Sequence, residues 1–246
     1  MAKILSVLSG KGGTGKSTIS AALAVSLAAR GHRVLAVDLD IGLRSLDLLL
    51  GMENRIIFDI GDVLAGRCEL QAACVPHSKY PNLRLLCPPA ASGGEPAEEL
   101  AVQLRRASEG TDYLLLDLPA GLGLSVRMAQ ELSDLCIAVT TPDLVTVRDT
   151  RTALDLVLKA GPKPCRLVVN KVNRAAMRAG GIIDLDELMD RIGAPLLGVI
   201  PMDPYIASDG VSLPSEKQRS GQTQKILDAM AGRICGEYVP LVLRSL

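Results

Sequence analysis

Short apolar runs alternate with longer amphipathic stretches along the whole chain. Seven runs predict buried strands: Lys3–Leu8, Val34–Asp38, Leu83–Leu86, Tyr113–Asp117, Leu135–Thr140, Cys165–Asn170 and Pro195–Ile200. Each is short, rich in Val, Ile and Leu, and bounded by polar, Gly or Pro residues. Between them the apolar spacing switches to the helical period. Ser17–Arg30 places Ile19, Leu23 and Leu27 on one face, with Ala22 and Ser26 beside them. Ala97–Glu109 turns Leu100 and Leu104 inward, and 145–160 predicts a helix burying Val147, Leu154 and Leu158. Shorter helices are expected at Ile60–Leu64 and Asp184–Ile192, and a last one over 220–233. Pro88–Pro96 reads as a loop by its Pro, Gly and Ser content, and Arg174–Gly181 as a mobile basic loop. Strands alternating with helices, with no repeat or linker, argue for one α/β domain with a mostly parallel central sheet flanked by helices on both faces.

Composition sharpens this picture. Of 246 residues, 48% are hydrophobic but only 2% aromatic, with no Trp, so the core has to be aliphatic. Such a core suits a parallel sheet covered on both faces. The formal net charge is zero and the pI about 6.7, so nothing global attracts DNA or an anionic membrane. The six cysteines form no C-x-x-C pair and are expected to be reduced thiols in a cytoplasmic protein. No signal peptide is expected, because the first strand starts at once. The longest uncharged run, Ser17–Ala29, is too short to span a bilayer.

The chemistry gathers at strand ends. After the first strand comes SGKGGTGKST, which contains Gly10-x-x-x-x-Gly15-Lys16-Ser17, the P-loop pattern. Glycines let the backbone curl with its N–H groups inward, and the following helix adds the positive end of its dipole. Lys16 would reach the β- and γ-phosphates, and Ser17 would offer its hydroxyl to Mg²⁺. The fourth predicted strand, YLLLD, ends in Asp117, a Walker B carboxylate placed to hold the Mg²⁺ water shell. Gly121, in DLPAG, has no side chain to keep its N–H from a γ-phosphate. Asp38 and Asp40 close the second strand, where a carboxylate can hold Mg²⁺ or orient an attacking water. Asp47 is read instead as an N-cap or solvent residue of a short helix. Asn170 ends a strand with an amide that could serve an adenine edge or simply cap the strand.

The block Lys11-Gly12-Gly13-Thr14-Gly15-Lys16-Ser17-Thr18 resembles the deviant P-loop, KGGxGK[ST][ST], of the ParA/MinD ATPases. Asp38 to Gly51, DLDIGLRSLDLLLG, is similar to switch I of the MinD-type, septum-site-determining members, with Ser45 where Asn is usual. DLPAG resembles their switch II, and Thr141 to Asp149 resembles a further segment expected near a dimer face. The resemblance covers residues 1 to about 214 and implies a single P-loop NTPase domain over 1–236, with 237–246 a tail of uncertain role. It implies ATP and Mg²⁺ as cofactors, with a homodimer forming when ATP is bound. Lys11 would reach the partner subunit's nucleotide, Lys16 its own, and Asp40 would position the hydrolytic water. Gly12, Gly13, Thr14, Gly15, Ser17, Thr18 and Gly121 would hold phosphates. Ser17, Asp38 and Asp117 would hold Mg²⁺. Asn170, Pro201 and Asp203 would line the adenine pocket.

The tail departs from the family pattern. MinD-type proteins end in a basic amphipathic helix, whereas RICGEYVPLVLRSL contains Pro240 and few charges. It reads either as a lipid-dipping segment at the inner face of the cell membrane or as a segment packed on the body or a partner. By function the resemblance implies a dimerising ATPase that positions the division site and answers to activator or inhibitor proteins. A ParA-like or flagellar-placement ATPase is the alternative, and net neutrality argues against DNA as a partner. A ligase of the dethiobiotin-synthetase type would need a small-molecule carboxylate or amine site, which the sequence does not show.

Overall fold

The computed structural model describes residues 2–41, 44–89, 97–179, 181, 183–203 and 221–241. The strands are β1 (Lys3–Leu8), β2 (Val34–Asp38), β3 (Val75–Pro76), β4 (Leu83–Leu86), β5 (Tyr113–Asp117), β6 (Leu135–Thr140), β7 (Cys165–Val172) and β8 (Leu196–Pro201). They form one sheet in the order β3-β4-β2-β5-β1-β6-β7-β8. All neighbours run parallel except the two-residue β3, which pairs antiparallel with β4 at one edge. The predicted strands are all present, and the mostly parallel sheet follows from their apolar, two-sided burial.

Helices cover both faces. On one lie α1 (Lys16–Ala29), α2 (Ser45–Leu49) and the last helix of the described chain, Gly221–Ile234. On the other lie α3 (Ile60–Leu64), α4 (Leu70–Ala73), α5 (Ala97–Ala107), α6 (Leu124–Leu132), α7 (Leu144–Leu158) and α9 (Leu185–Ile192). A one-turn α8 (Arg174–Arg178) precedes α9, and Gly221–Ile234 is α10 here. The strand period of two splits the core cleanly: Leu35 and Val37 face the second layer, Val34 and Ala36 the first. Each fully buried aliphatic side chain contributes about 1.5–3 kcal/mol, and Leu5, Leu23, Leu27 and Leu85 are all within that class.

Three expectations are corrected, and one helix is added. The stretch after Asn173 is helical, because the Asn173 side chain caps it by accepting from the Ala176 N–H at 3.1 Å. Leu158 is 39% exposed, and Ala153 and Val157 take the inner face with Val147 and Leu154. Asp47 is neither an N-cap nor a solvent residue. Arg44 occupies the N-cap position of α2, and Asp47 is buried in the first turn, within 3.5 Å of Arg44. The added helix is α6, which the loop signals of Gly121-Leu122-Gly123 just before it conceal in the sequence. The Pro88–Pro96 loop lies outside the described residues from Ala90 onward, as do Ser220 and the tail from Val242.

Beyond α10 the chain is tied back to the body. Arg233 donates to the carbonyls of Leu197, Val239 and Pro240 at 2.7–2.8 Å, and Arg30 pairs with Glu237. Among the described residues no helix is long and apolar enough to cross a membrane.

Candidate functional site

The site is built at the carboxyl end of β1, near the centre of the sheet, where open parallel sheets place their ligands. Ser9 is buried, and its hydroxyl donates to the Lys11 carbonyl at 3.0 Å, starting the curl of the loop. Gly13 and Gly15 stand at φ 82° and 87°, and Gly15 is the N-cap of α1. A Cβ on Gly15 would be strained at that φ and would lie 2.3 Å from Asn170 Nδ2. Helix α1 has no side-chain cap and no acidic residue in its first turn. Its leading N–H groups and the positive end of its dipole are thus left for an anion. Gly10 serves another need: a Cβ there would sit 2.1 Å from the Asp149 carbonyl carbon, so the loop lies directly on the backbone of α7.

Three carboxylates and one amine organise the charge. Register pairs Asp38 with Asp117 at the ends of β2 and β5. Lys16 Nζ reaches Asp117 Oδ1 at 2.9 Å, and Ser20 Oγ donates to the same oxygen at 2.7 Å. Lys16 Nζ also lies 3.4 Å from Ser17 Oγ. The second oxygen of Asp117 is buried without a partner, as is the Thr14 hydroxyl. Asp38 accepts backbone N–H groups from Asp40 at 2.9 Å and Leu46 at 3.0 Å, which anchors the start of α2 to the strand end. Burial pushes the Asp38 carboxyl up to about 6, helped by Asp117 and opposed by those N–H groups and Lys16. Burial likewise raises Asp40, with Lys16 opposing and Asp117 adding.

These residues fit Mg²⁺. The donors are hard oxygens from a hydroxyl and carboxylates, and an orphaned buried carboxylate oxygen calls for a partner. Among the described residues no group of three or more His, Cys, Asp or Glu side chains could hold a metal alone. Mg²⁺ keeps several waters and completes its shell with phosphate. A cavity of about 390 Å³ opens here, lined by Gly12 to Thr18 with Asp40, Arg44, Ser45 and Leu48.

The predicted base-binding residues sit to the other side of the loop and do not line that cavity. Asn170 is buried, and its amide donates to the Thr14 carbonyl at 2.8 Å. Pro201 is buried at the end of β8, opposite Val172. Asp203 is buried and accepts from Thr223 Oγ1 at 2.7 Å, fastening α10 to the end of β8. Gly121 donates its N–H to the Ser9 carbonyl at 3.2 Å. Thr18 is half-buried in the first turn of α1, and Lys11 is exposed at the rim. Asp143, the N-cap of α7, is held below the usual carboxylate range. Burial opposes this, but hydrogen bonds from Thr141 and Thr146 outweigh it and the Lys11 charge assists. Leu122, Leu144 and Val145, 46–60% exposed, stand on the segments flanking the rim.

Sequence reading missed Ser20, the packing of Gly10 and the use of Lys171. Ser20 follows Lys16 by one helical turn, a spacing that becomes informative only with β5 beside it. Gly10 belongs to the motif, but its contact is with a helix more than 130 residues away. Lys171 belongs to no motif, and its amine donates to the Gly13 carbonyl at 2.8 Å.

Comparison with known proteins agrees with this geometry. Residues 5–212 match the CobQ/CobB/MinD/ParA nucleotide binding domain. The chain is 36% identical to the septum site-determining protein MinD of Bacillus subtilis, over 98% of this chain and 92% of that one. It is 34% identical to MinD of Helicobacter pylori, over 98% and 94%. Among solved structures, MinD in the MinC:MinD cell division protein complex of Aquifex aeolicus superposes with a TM-score of 0.87, at 29% identity and 98% coverage of both chains. MinD of Pyrococcus horikoshii, complexed with Mg-ADP, superposes at 0.82, with 30% identity over 95% and 96%. With its glycine loop, uncapped helix and paired strand-end carboxylates, this chain belongs to the MinD septum site-determining branch of the CobQ/CobB/MinD/ParA nucleotide-binding ATPases.

Proposed function

We propose that this chain is a MgATP-hydrolysing switch that closes as a homodimer and positions the cell-division site. The observation that carries it is the uncapped, glycine-lined start of α1 facing Lys16, Ser17 and the orphaned oxygen of Asp117. The N–H groups of Gly12 to Gly15, with Thr14 and Thr18, cradle the phosphates. Lys16 exchanges Asp117 for phosphate oxygens, and Lys11 of the partner subunit adds a second cation. Bound Mg²⁺, held by Ser17, Asp38 and Asp117, supplies charge neutralisation at the phosphates. Asp40 orients the attacking water, and the Gly121 N–H gives up the Ser9 carbonyl for the terminal phosphate. Asn170, Pro201 and Asp203 border the base. Phosphoryl transfer asks for positioning and charge stabilisation rather than covalent chemistry, so these parts suffice. Turnover is slow until a partner protein stimulates it.

The exposed Lys11 and the apolar Leu122, Leu144 and Val145 beside it support a face that a second copy covers. A MinC:MinD complex among the similar structures supports a division-site protein as partner. The apolar end of the tail is the segment through which peripheral contact with a membrane would be made. Co-sedimentation with liposomes and ATP, full length against a chain cut after Gly236, tests that contact, and equal pelleting removes it.

Light scattering with Mg²⁺ and either ATP or ADP tests the switch. The wild-type mass should double with ATP alone. Lys11→Ala should still bind nucleotide yet stay monomeric, and an undiminished ATP-dependent dimer of that variant overturns the dimer mechanism.

A further inference from the structure

Consecutive side chains on a strand point to opposite faces. Asn170 and Lys171 do not. Lys171 stands at φ 57°, one of two non-glycine residues at positive φ among the described residues. The pairing of β7 with β8 slips between Val169 and Val172, so these two residues lie in a bulge. Bulges re-aim side chains beside active sites. Here both neighbours reach the same glycine loop. Asn170 Nδ2 donates to the Thr14 carbonyl and Lys171 Nζ to the Gly13 carbonyl, each at 2.8 Å.

A trans peptide points its C=O and its N–H in opposite directions. Holding the Gly13 carbonyl outward therefore aims the Thr14 N–H inward, and holding the Thr14 carbonyl does the same for the Gly15 N–H. These are the donors of the anion-binding concavity. A long side chain at positive φ is strained where glycine would not be, and such strain gathers at ligand clamps.

We infer that Lys171 is a positioning residue of the phosphate loop, its left-handed backbone and its amine together presetting the Thr14 N–H for a nucleotide phosphate. The inference rests on the nucleotide-binding reading above. Lys171 is exposed, so the bond competes with water. Its loss should weaken nucleotide binding by about three- to tenfold, the worth of one modest hydrogen bond.

Lys171→Gly is the informative variant, because glycine keeps the positive φ without strain while the side chain that carries the amine is removed. Binding of a fluorescent ADP analogue with Mg²⁺ is read beside the melting temperature of the nucleotide-free protein. The expected result is weaker affinity by that factor, a melting temperature within about 3 °C of wild type, and recovery of most of the affinity in Lys171→Arg. In hydrolysis, KM should follow the affinity while kcat at saturating ATP holds. If Lys171→Gly melts far lower, Lys171→Met, which keeps the stem, carries the same expectation. Wild-type affinity in a folded variant lacking the amine overturns the inference alone. Failure of the wild-type protein itself to bind the analogue overturns the nucleotide reading and the inference with it.

Discussion

Lys16 forms a buried ion pair with Asp117 in the core. The amine is 6% exposed, the carboxylate 0%, and they lie 2.9 Å apart. Lys16→Ala leaves a buried charge without its cation. Breaking such a pair costs about 3–5 kcal/mol. Ser20 Oγ still donates to Asp117 at 2.7 Å, which keeps the loss at the low end, about 3 kcal/mol. For a domain of this size that corresponds to a fall in melting temperature of about 6–12 °C. The assay is thermal unfolding at pH 7 with a chelator and no nucleotide, so that ligand stabilisation cannot contribute. Asp117→Asn alone strands the Lys16 amine and should also destabilise. The double variant Lys16→Ala/Asp117→Asn removes both charges and should recover at least about 2 kcal/mol relative to the sum of the single losses. Losses that add to within about 0.5 kcal/mol would refute the reasoning. The pair would then be a surface-like contact, and Lys16 would be free for phosphate at no cost.

Further outcomes follow from the same geometry. Gly10→Ala drives a Cβ to 2.1 Å from the backbone of Asp149, which cannot yield as a side chain would, whereas a Cβ on Gly12 meets nothing within 4 Å. Gly10→Ala should therefore lose about 3 kcal/mol or more and Gly12→Ala little, as measured by chemical denaturation of the nucleotide-free protein. The Arg33 side chain and N–H hold the Asp112 carboxyl down to about 2. Because its folded value lies below the unfolded one, its contribution is present above pH 4 and is lost as pH falls through about 2. Asp112→Asn should flatten stability between pH 4 and 2, by less than about 1 kcal/mol given its exposure, and an unchanged acid limb refutes it. Cutting the chain after Gly236 removes Glu237 from Arg30 and two carbonyls from Arg233. It should lower stability in solution by about 1–2 kcal/mol, and an unmoved melting temperature would mean that the clamp holds nothing.

How far residues alone reach is clearest at the sheet. All seven predicted strands are present because a short run of Val, Ile and Leu buried on both sides is a local signal. The glycine loop was legible for the same reason: its donors, its lysine and its hydroxyl all lie within ten consecutive residues. Asp38, Asp40 and Asp117 could be named as strand-end carboxylates, since strand and carboxylate are adjacent in the chain. What the sequence could not supply was contact between distant segments. That Lys16 rests on Asp117, that Gly10 lies on α7, and that Lys171 reaches the Gly13 carbonyl depend on strand order and on a bulge between β7 and β8. Asp47 looked solvated and Leu158 looked buried because helical spacing tells which residues share a face, not which face the fold covers. Local chemistry is written in neighbouring residues. Burial and register are set by the whole sheet, whose pairing no single segment specifies.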